Sequence, residues 1–160
     1  MLGIRIICVG KLKERFYIDA VDEYKKRLTS HCKIEILNIP EHRLPDDPSQ
    51  AQITQALAKE CAAIKVGLMP GSMAVAMSSE GRQMDSREFS ELLTECACSG
   101  ISRLVFVIGG SFGLHEKVKK EADLLLSMSA MTFPHNLAQV ILLEQLYRAF
   151  KITDGGKYHK

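Results

Sequence analysis

The sequence predicts an α/β domain: a mainly parallel sheet flanked by helices. Short apolar, β-rich runs alternate with longer amphipathic stretches, the pattern of strands joined by crossover helices. Two unusual loops, one rich in glycine and one holding a Phe-Pro-His triplet, each follow a strand, and parallel sheets bind ligands beyond the carboxyl ends of their strands. The 160 residues suit one domain, 1–160, with roughly two-thirds of the unfolded chain's surface available for burial.

Strands are expected at 4–9 (IRIICV), 33–39 (KIEILNI), 72–77 (SMAVAM), 103–108 (RLVFVI) and 123–128 (DLLLSM). Between the first two, 16–28 places Phe16, Ala20, Val21, Tyr24 and Leu28 on one helical face with charges opposite. Residues 40–50 carry three prolines and read as a loop, because proline blocks both helix continuation and sheet pairing. Helices then follow at 51–66 and 86–99. The second is expected to be capped by Ser86, with Phe89, Leu92, Leu93 and Cys96 inward.

The last helix is expected to start at Asn136, as cap, with Gln139 completing a capping box. Its apolar residues cover more than half its circumference, leaving Glu144, Arg148 and Lys151 as one narrow polar stripe. A helix that apolar calls for burial on more than one side, and a homodimer through it is expected. Full coverage within one chain is the other solution.

Composition excludes several classes. With 46% hydrophobic and 25% charged residues the chain is neither disordered nor collagenous. No apolar run approaches a membrane span and the N-terminus lacks signal-peptide features, so a cytoplasmic location is expected. The five cysteines form no C-x-x-C pair and no zinc spacing; reduced thiols and no metal are expected. A net charge of +2 leaves a nucleic-acid partner open.

Three stretches carry candidate chemistry. In 105–114 (VFVIGGSFGL) a strand runs into Gly109, Gly110 and Gly113, a spacing that matches neither the Rossmann fingerprint nor a P-loop. A ligand loop and a tight strand-to-helix turn fit it equally. In 128–136 (MSAMTFPHN), Pro134 holds Phe133 extended, so nearby backbone groups can face a flat heterocycle while Met128, Met131 and Phe133 supply apolar contact; core filling is the plainer alternative. The tail gathers Arg148, Lys151, Lys157, Tyr158, His159 and Lys160, cations with an aromatic ring, as looped RNA requires, although terminal residues are often simply solvated. KLKER (11–15) and KKR (25–27) read as solvated faces unless they flank the same site. His31, His42 and His115 read as surface or helix-end residues, and His135 as the loop-to-helix joint.

Together, IICVGKLKE, FVIGGSFGL, MTFPHNLAQVILLEQLYRAFKI and the terminal YHK resemble the RlmH (YbeA-like) family of SPOUT-class ribosomal RNA large-subunit methyltransferases, over essentially the whole chain. That resemblance implies a C-terminal trefoil knot, a homodimer, and use of S-adenosylmethionine to methylate N3 of a pseudouridine in a hairpin loop of large-subunit (23S) ribosomal RNA. It implies a cofactor pocket of Met77, Gly109, Met128, Ser129, Ala130, Met131, Thr132 and Phe133. It points to Arg148, Tyr158 and His159 at the RNA end of the site, across the dimer. With Glu144 these are the candidate catalytic groups, His159 as a base, Glu144 as a second base or an orienter, and Arg148 as the cation for a phosphate or a developing oxyanion. A non-methylating nucleotide binder and a ribosome-associated RNA-binding protein are the alternatives.

Overall fold

The computed structural model describes residues 1–158. The elements run β1 (Gly3–Val9), α1 (Arg15–Leu28), β2 (Lys33–Ile39), α2 (Gln50–Gly67), β3 (Met73–Gln83), α3 (Ser86–Cys98), β4 (Arg103–Ile108), α4 (Glu116–Glu121), β5 (Leu124–Ser127) and α5 (His135–Thr153). The five strands form one sheet in the order β2-β1-β4-β3-β5, and every pairing is parallel.

Strand alternation divides the core between the two faces. Ile4, Ile6 and Cys8 of β1 and Leu104, Phe106 and Ile108 of β4 pack with α1, α3 and α5. Ile7, Val9, Val105 and Val107 face the other way, against Cys61 and Ile64 of α2 and Val118 of α4. Both strands are therefore apolar on both faces over 6–9 and 104–108, as a sheet covered on both faces demands.

Three details differ from the sequence reading. Helix α3 is capped by Asp85, not Ser86: the Asp85 carboxylate accepts from the Arg87 and Glu88 amides, and the Glu88 side chain accepts from the Asp85 amide at 2.8 Å. Ser86 becomes the first helical residue and donates instead to Gln145 Oε1. Helix α5 starts two residues early, with Pro134 rather than Asn136 in the cap position, because Pro134, with φ −54°, pre-sets the entry. Asn136 is already helical, so no side-chain cap or capping box forms, and Gln139 is 3% exposed in the core. On α1, Val21 and Leu28 are buried but Phe16 is 65% exposed, so the expected face closes only over its C-terminal turns.

β3 does not end at Met77. Both Met77 and Arg82 align with Leu126 of β5, so residues 78–81 leave the ladder and return. Gly81 permits the return, because a Cβ there would lie 2.6 Å from the Leu125 carbonyl.

Four of the cysteines are buried and Cys98 is exposed; all five are free thiols. Among the described residues no helix is long and apolar enough to cross a membrane. Helix α5 lies between α1 and α3, with Leu142, Leu143, Leu146 and Ala149 buried. Val140, Ile141 and Tyr147 remain half-buried.

Candidate functional site

The carboxyl ends of β3, β4 and β5 open into one cleft of about 670 Å³. The glycine loop after β4 forms one wall, the segment after β5 a second, and the excursion of β3 a third. The two loops singled out in the sequence thus share one site.

The glycine loop is tight for identifiable reasons. Gly113 has φ +77° and its amide donates to the Gly110 carbonyl at 3.1 Å, closing the turn. A Cβ on Gly109 would collide with the Gly113 carbonyl. The turn and ligand-loop readings of this motif are therefore compatible: the turn is strict, and its outer surface lines the cleft.

A second constraint comes from the proline-rich loop. Glu41 Oε1 accepts from the Ser111 amide at 3.0 Å, and a Cβ on Gly110 would sit 2.7 Å from the same oxygen. The base of that loop is held by Glu60, buried in α2, whose carboxylate accepts from the His42 amide. Burial pushes the Glu60 carboxyl above its usual range, and the His42 amide partly offsets that. Neither Glu41 nor Glu60 stood out in the sequence, because nothing local marks a carboxylate whose partner lies 70 residues away, for Glu41, or 18, for Glu60.

The wall after β5 is an arch with partly free backbone. Ser127 Oγ donates to the Ser129 carbonyl, and Ser129 Oγ accepts from the Met131 amide, both at 3.0 Å. Among the described residues the amides of Ser129, Ala130, Thr132 and Phe133 meet no protein acceptor. The third wall is pinned by Lys119 of α4, whose ammonium pairs with Glu80 at 3.2 Å and Glu116 at 2.6 Å. The hydrogen bond to Glu116 first, and Glu80 besides, hold Lys119 above the ordinary lysine range.

Met77, Gly109, Met128, Ser129, Met131, Thr132 and Phe133 line this cleft; Ala130, exposed on the arch, is not among the lining residues. Residues the sequence reading missed include Ser78, Ser79 and Glu80, hidden in what reads as the end of a strand, and Phe112 at the rim. His115 caps α4 through Nδ1, which accepts from the Lys117 amide at 3.1 Å. His31 is half-buried, stacked on Phe150 and 3.3 Å from Asp154, so it is an α1–α5 joint.

The candidate catalytic groups assemble elsewhere. Glu144 accepts from Arg148 Nε at 2.9 Å, from Gln145 at 2.6 Å and from the Tyr158 hydroxyl at 3.3 Å. The Arg148 guanidinium stacks on the Tyr158 ring, 4.7 Å from its centre. Burial foremost, with Tyr24 and Glu144 contributing, pushes the Tyr158 phenol up to about 12. Its hydrogen bond to Glu144 likewise raises Arg148. His159 lies outside the described residues. None of these three side chains lines the 670 Å³ cleft of its own chain. A relay connects the two regions: Gln145, bonded to Glu144, also accepts from Ser86, and both line a second cavity of about 470 Å³ that shares Met77, Met128 and Phe133 with the cleft.

Among the described residues no group of three or more potential metal ligands occurs. The cleft suits a flexible, partly apolar ligand with a heterocycle: thioethers and Phe133 offer apolar contact, and the free amides of the arch offer donors.

Comparison with known proteins adds an independent finding. Residues 2–159 match the family model described as "Predicted SPOUT methyltransferase". A relative from Streptococcus equi subsp. zooepidemicus, "Ribosomal RNA large subunit methyltransferase H", is 44% identical over 99% of this chain and 100% of its own. "Ribosomal RNA large subunit methyltransferase H 1" of Clostridium perfringens is 43% identical over the same shares. A probable methyltransferase from Bordetella pertussis superposes with a TM-score of 0.59, at 16% identity over 92% of this chain and 95% of that one. A probable methylase family protein from Haemophilus influenzae gives 0.56, at 15% identity over 98% and 70%.

Proposed function

The chain belongs to the SPOUT methyltransferase family, and from that premise we propose that it moves the methyl of S-adenosylmethionine to N3 of a pseudouridine in a hairpin loop of 23S ribosomal RNA. In this reading it is a single-domain homodimer of the cytoplasm with the family's knotted C-terminal path. Family membership sets aside both non-methylating readings.

The observation that carries the cofactor assignment is the convergence of seven expected residues, from three separate segments, on one cleft. The amides of the arch would read the adenine, and Met77, Met128 and Phe133 would enclose the apolar parts. The donor supplies a methyl already activated as a sulfonium. What remains for the protein is to hold the N3 lone pair in line with it, exclude water and accept the N3 proton.

Transfer forms the N3–CH3 bond, breaks the S–CH3 bond, releases S-adenosylhomocysteine and sends the imide proton to a base. Tyr158 is not that base near neutrality, since its phenol stays protonated to about pH 12. It serves as a donor. Glu144 already receives four hydrogen bonds from three side chains, which makes it the orienter of Arg148 and Tyr158. Arg148 is the cation for a phosphate or the developing oxyanion. His159, which lies outside the described residues, is left as the candidate base.

Because Glu144, Arg148 and Tyr158 lie off their own chain's cleft, the proposal requires a dimer through α5, whose Val140, Ile141 and Tyr147 stay half-buried in one chain. Calorimetric titration with S-adenosylmethionine, on protein whose mass is fixed by light scattering, tests both parts. Binding by a particle of twice 17.8 kDa is expected; a monomer, or no heat even with RNA present, contradicts the reading.

A further inference from the structure

Beside the cleft, on the far side of the glycine loop, lies a second open groove of about 760 Å³. It runs between the turn after β1, the proline-rich loop after β2 and the start of α5. Ser111, Phe112 and His135 line both spaces, so groove and cleft meet at the glycine loop. Its charges are Lys11, Lys13 and Arg43 against Glu14 and Glu41, with His42 and His135 alongside. Lys11, Lys13 and Arg43 are exposed, and none has a carboxylate in ion-pair range among the described residues. Glu41 is engaged by the Ser111 amide, which lowers its repulsion toward an anion in the groove. At the junction Phe112 is a large apolar side chain left 48% exposed.

We propose that this groove carries the RNA strand flanking the target nucleotide, with Lys11, Lys13 and Arg43 on successive phosphates and Phe112 stacking a base at the entrance to the cleft. Unpaired cations spaced along an open channel, followed by an exposed ring, form the combination that holds unstacked RNA. The groove ends at the site where a base must be presented, so a strand lying in it delivers its next nucleotide to the methyl donor. Cations read as a solvated face in the sequence thereby acquire a partner.

This inference deepens the ribosomal RNA reading and depends on it. The test is binding to large ribosomal subunits from cells lacking the enzyme, compared between wild type, a Lys11→Ala/Lys13→Ala/Arg43→Ala variant, Phe112→Ala, and a charge-matched control with Lys26, Lys33 and Lys59 changed to Ala on other exposed surfaces. The groove variant is expected to bind about tenfold or more weaker, with the slope of log affinity against log salt reduced by about 2, while the control matches wild type. Phe112→Ala is expected to weaken binding about tenfold without changing that slope. Circular dichroism and thermal melting report folding in each case.

A folded groove variant that binds subunits like wild type, or no more weakly than the control, overturns the proposal. So does a benzophenone side chain in place of Arg43 that crosslinks only to ribosomal protein. If the methyl-transfer reading is wrong instead, wild type transfers no methyl, whatever the binding series gives.

Discussion

Tyr158 shows how one side chain's surroundings fix its chemical role. Burial foremost, with Tyr24 and Glu144, favours its phenol in the neutral form, against the opposing pull of the Arg148 guanidinium stacked on its ring. The sign follows directly: a folded-state pKa above the ordinary value of about 10 stabilises the fold below pH 10, and that contribution is lost as pH rises through about 12. Of the four tyrosines, ultraviolet absorbance titration is expected to find one ionising near 12. Glu144→Ala is expected to lower that value. An unchanged titration would mean that the Glu144–Tyr158 contact does not form in solution. The contact was not legible in the residue pattern, where Glu144 and Arg148 appear as a polar stripe and Tyr158 in a basic tail; only the family resemblance grouped them. Helical spacing puts Glu144 and Arg148 on one face, but no spacing rule folds the tail back onto it.

At the scale of elements, the cleft depends on loops braced from a distance. Gly110 and Glu41 are the clearest case, because the space a side chain would need is filled by a carboxylate that holds the next amide. Gly110→Ala is expected to displace Glu41, release the Ser111 amide and weaken S-adenosylmethionine binding about tenfold, about 1.4 kcal/mol. Glu41→Ala is expected to cost less by itself and to relieve part of the Gly110→Ala defect. Calorimetry on the two single variants and the double variant checks this, and strictly additive losses would contradict the brace. The strands and helices themselves were legible, since periodicity reports burial. Their ends were decided by rules of closer range: Asp85 outcompeted Ser86 as a cap, and Pro134 started α5 before Asn136 could. The excursion at 78–81 was hidden because a strand that leaves its ladder and returns keeps an extended pattern, with Gly81 as its sole mark.

For the whole molecule, the parallel sheet places the ends of β3, β4 and β5 together, and the sequence order of its loops then dictates a single site. That is why two motifs each equally or better explained as structure became one cleft when read together. Glu144 and Arg148 of α5, with Tyr158 packed on them, by contrast lie off the cleft of their own chain, and the proposed reaction needs a second copy of the chain to bring them to one. The central claim is the reaction itself. Purified protein, S-adenosylmethionine carrying an isotopic methyl label, and both large ribosomal subunits and assembled ribosomes from cells lacking the enzyme, followed by mass spectrometry of the digested ribosomal RNA, test it most directly. The account predicts one labelled methyl, on N3 of a pseudouridine in a hairpin loop. Label on another atom or nucleotide, or no label under conditions where the cofactor binds, would contradict it.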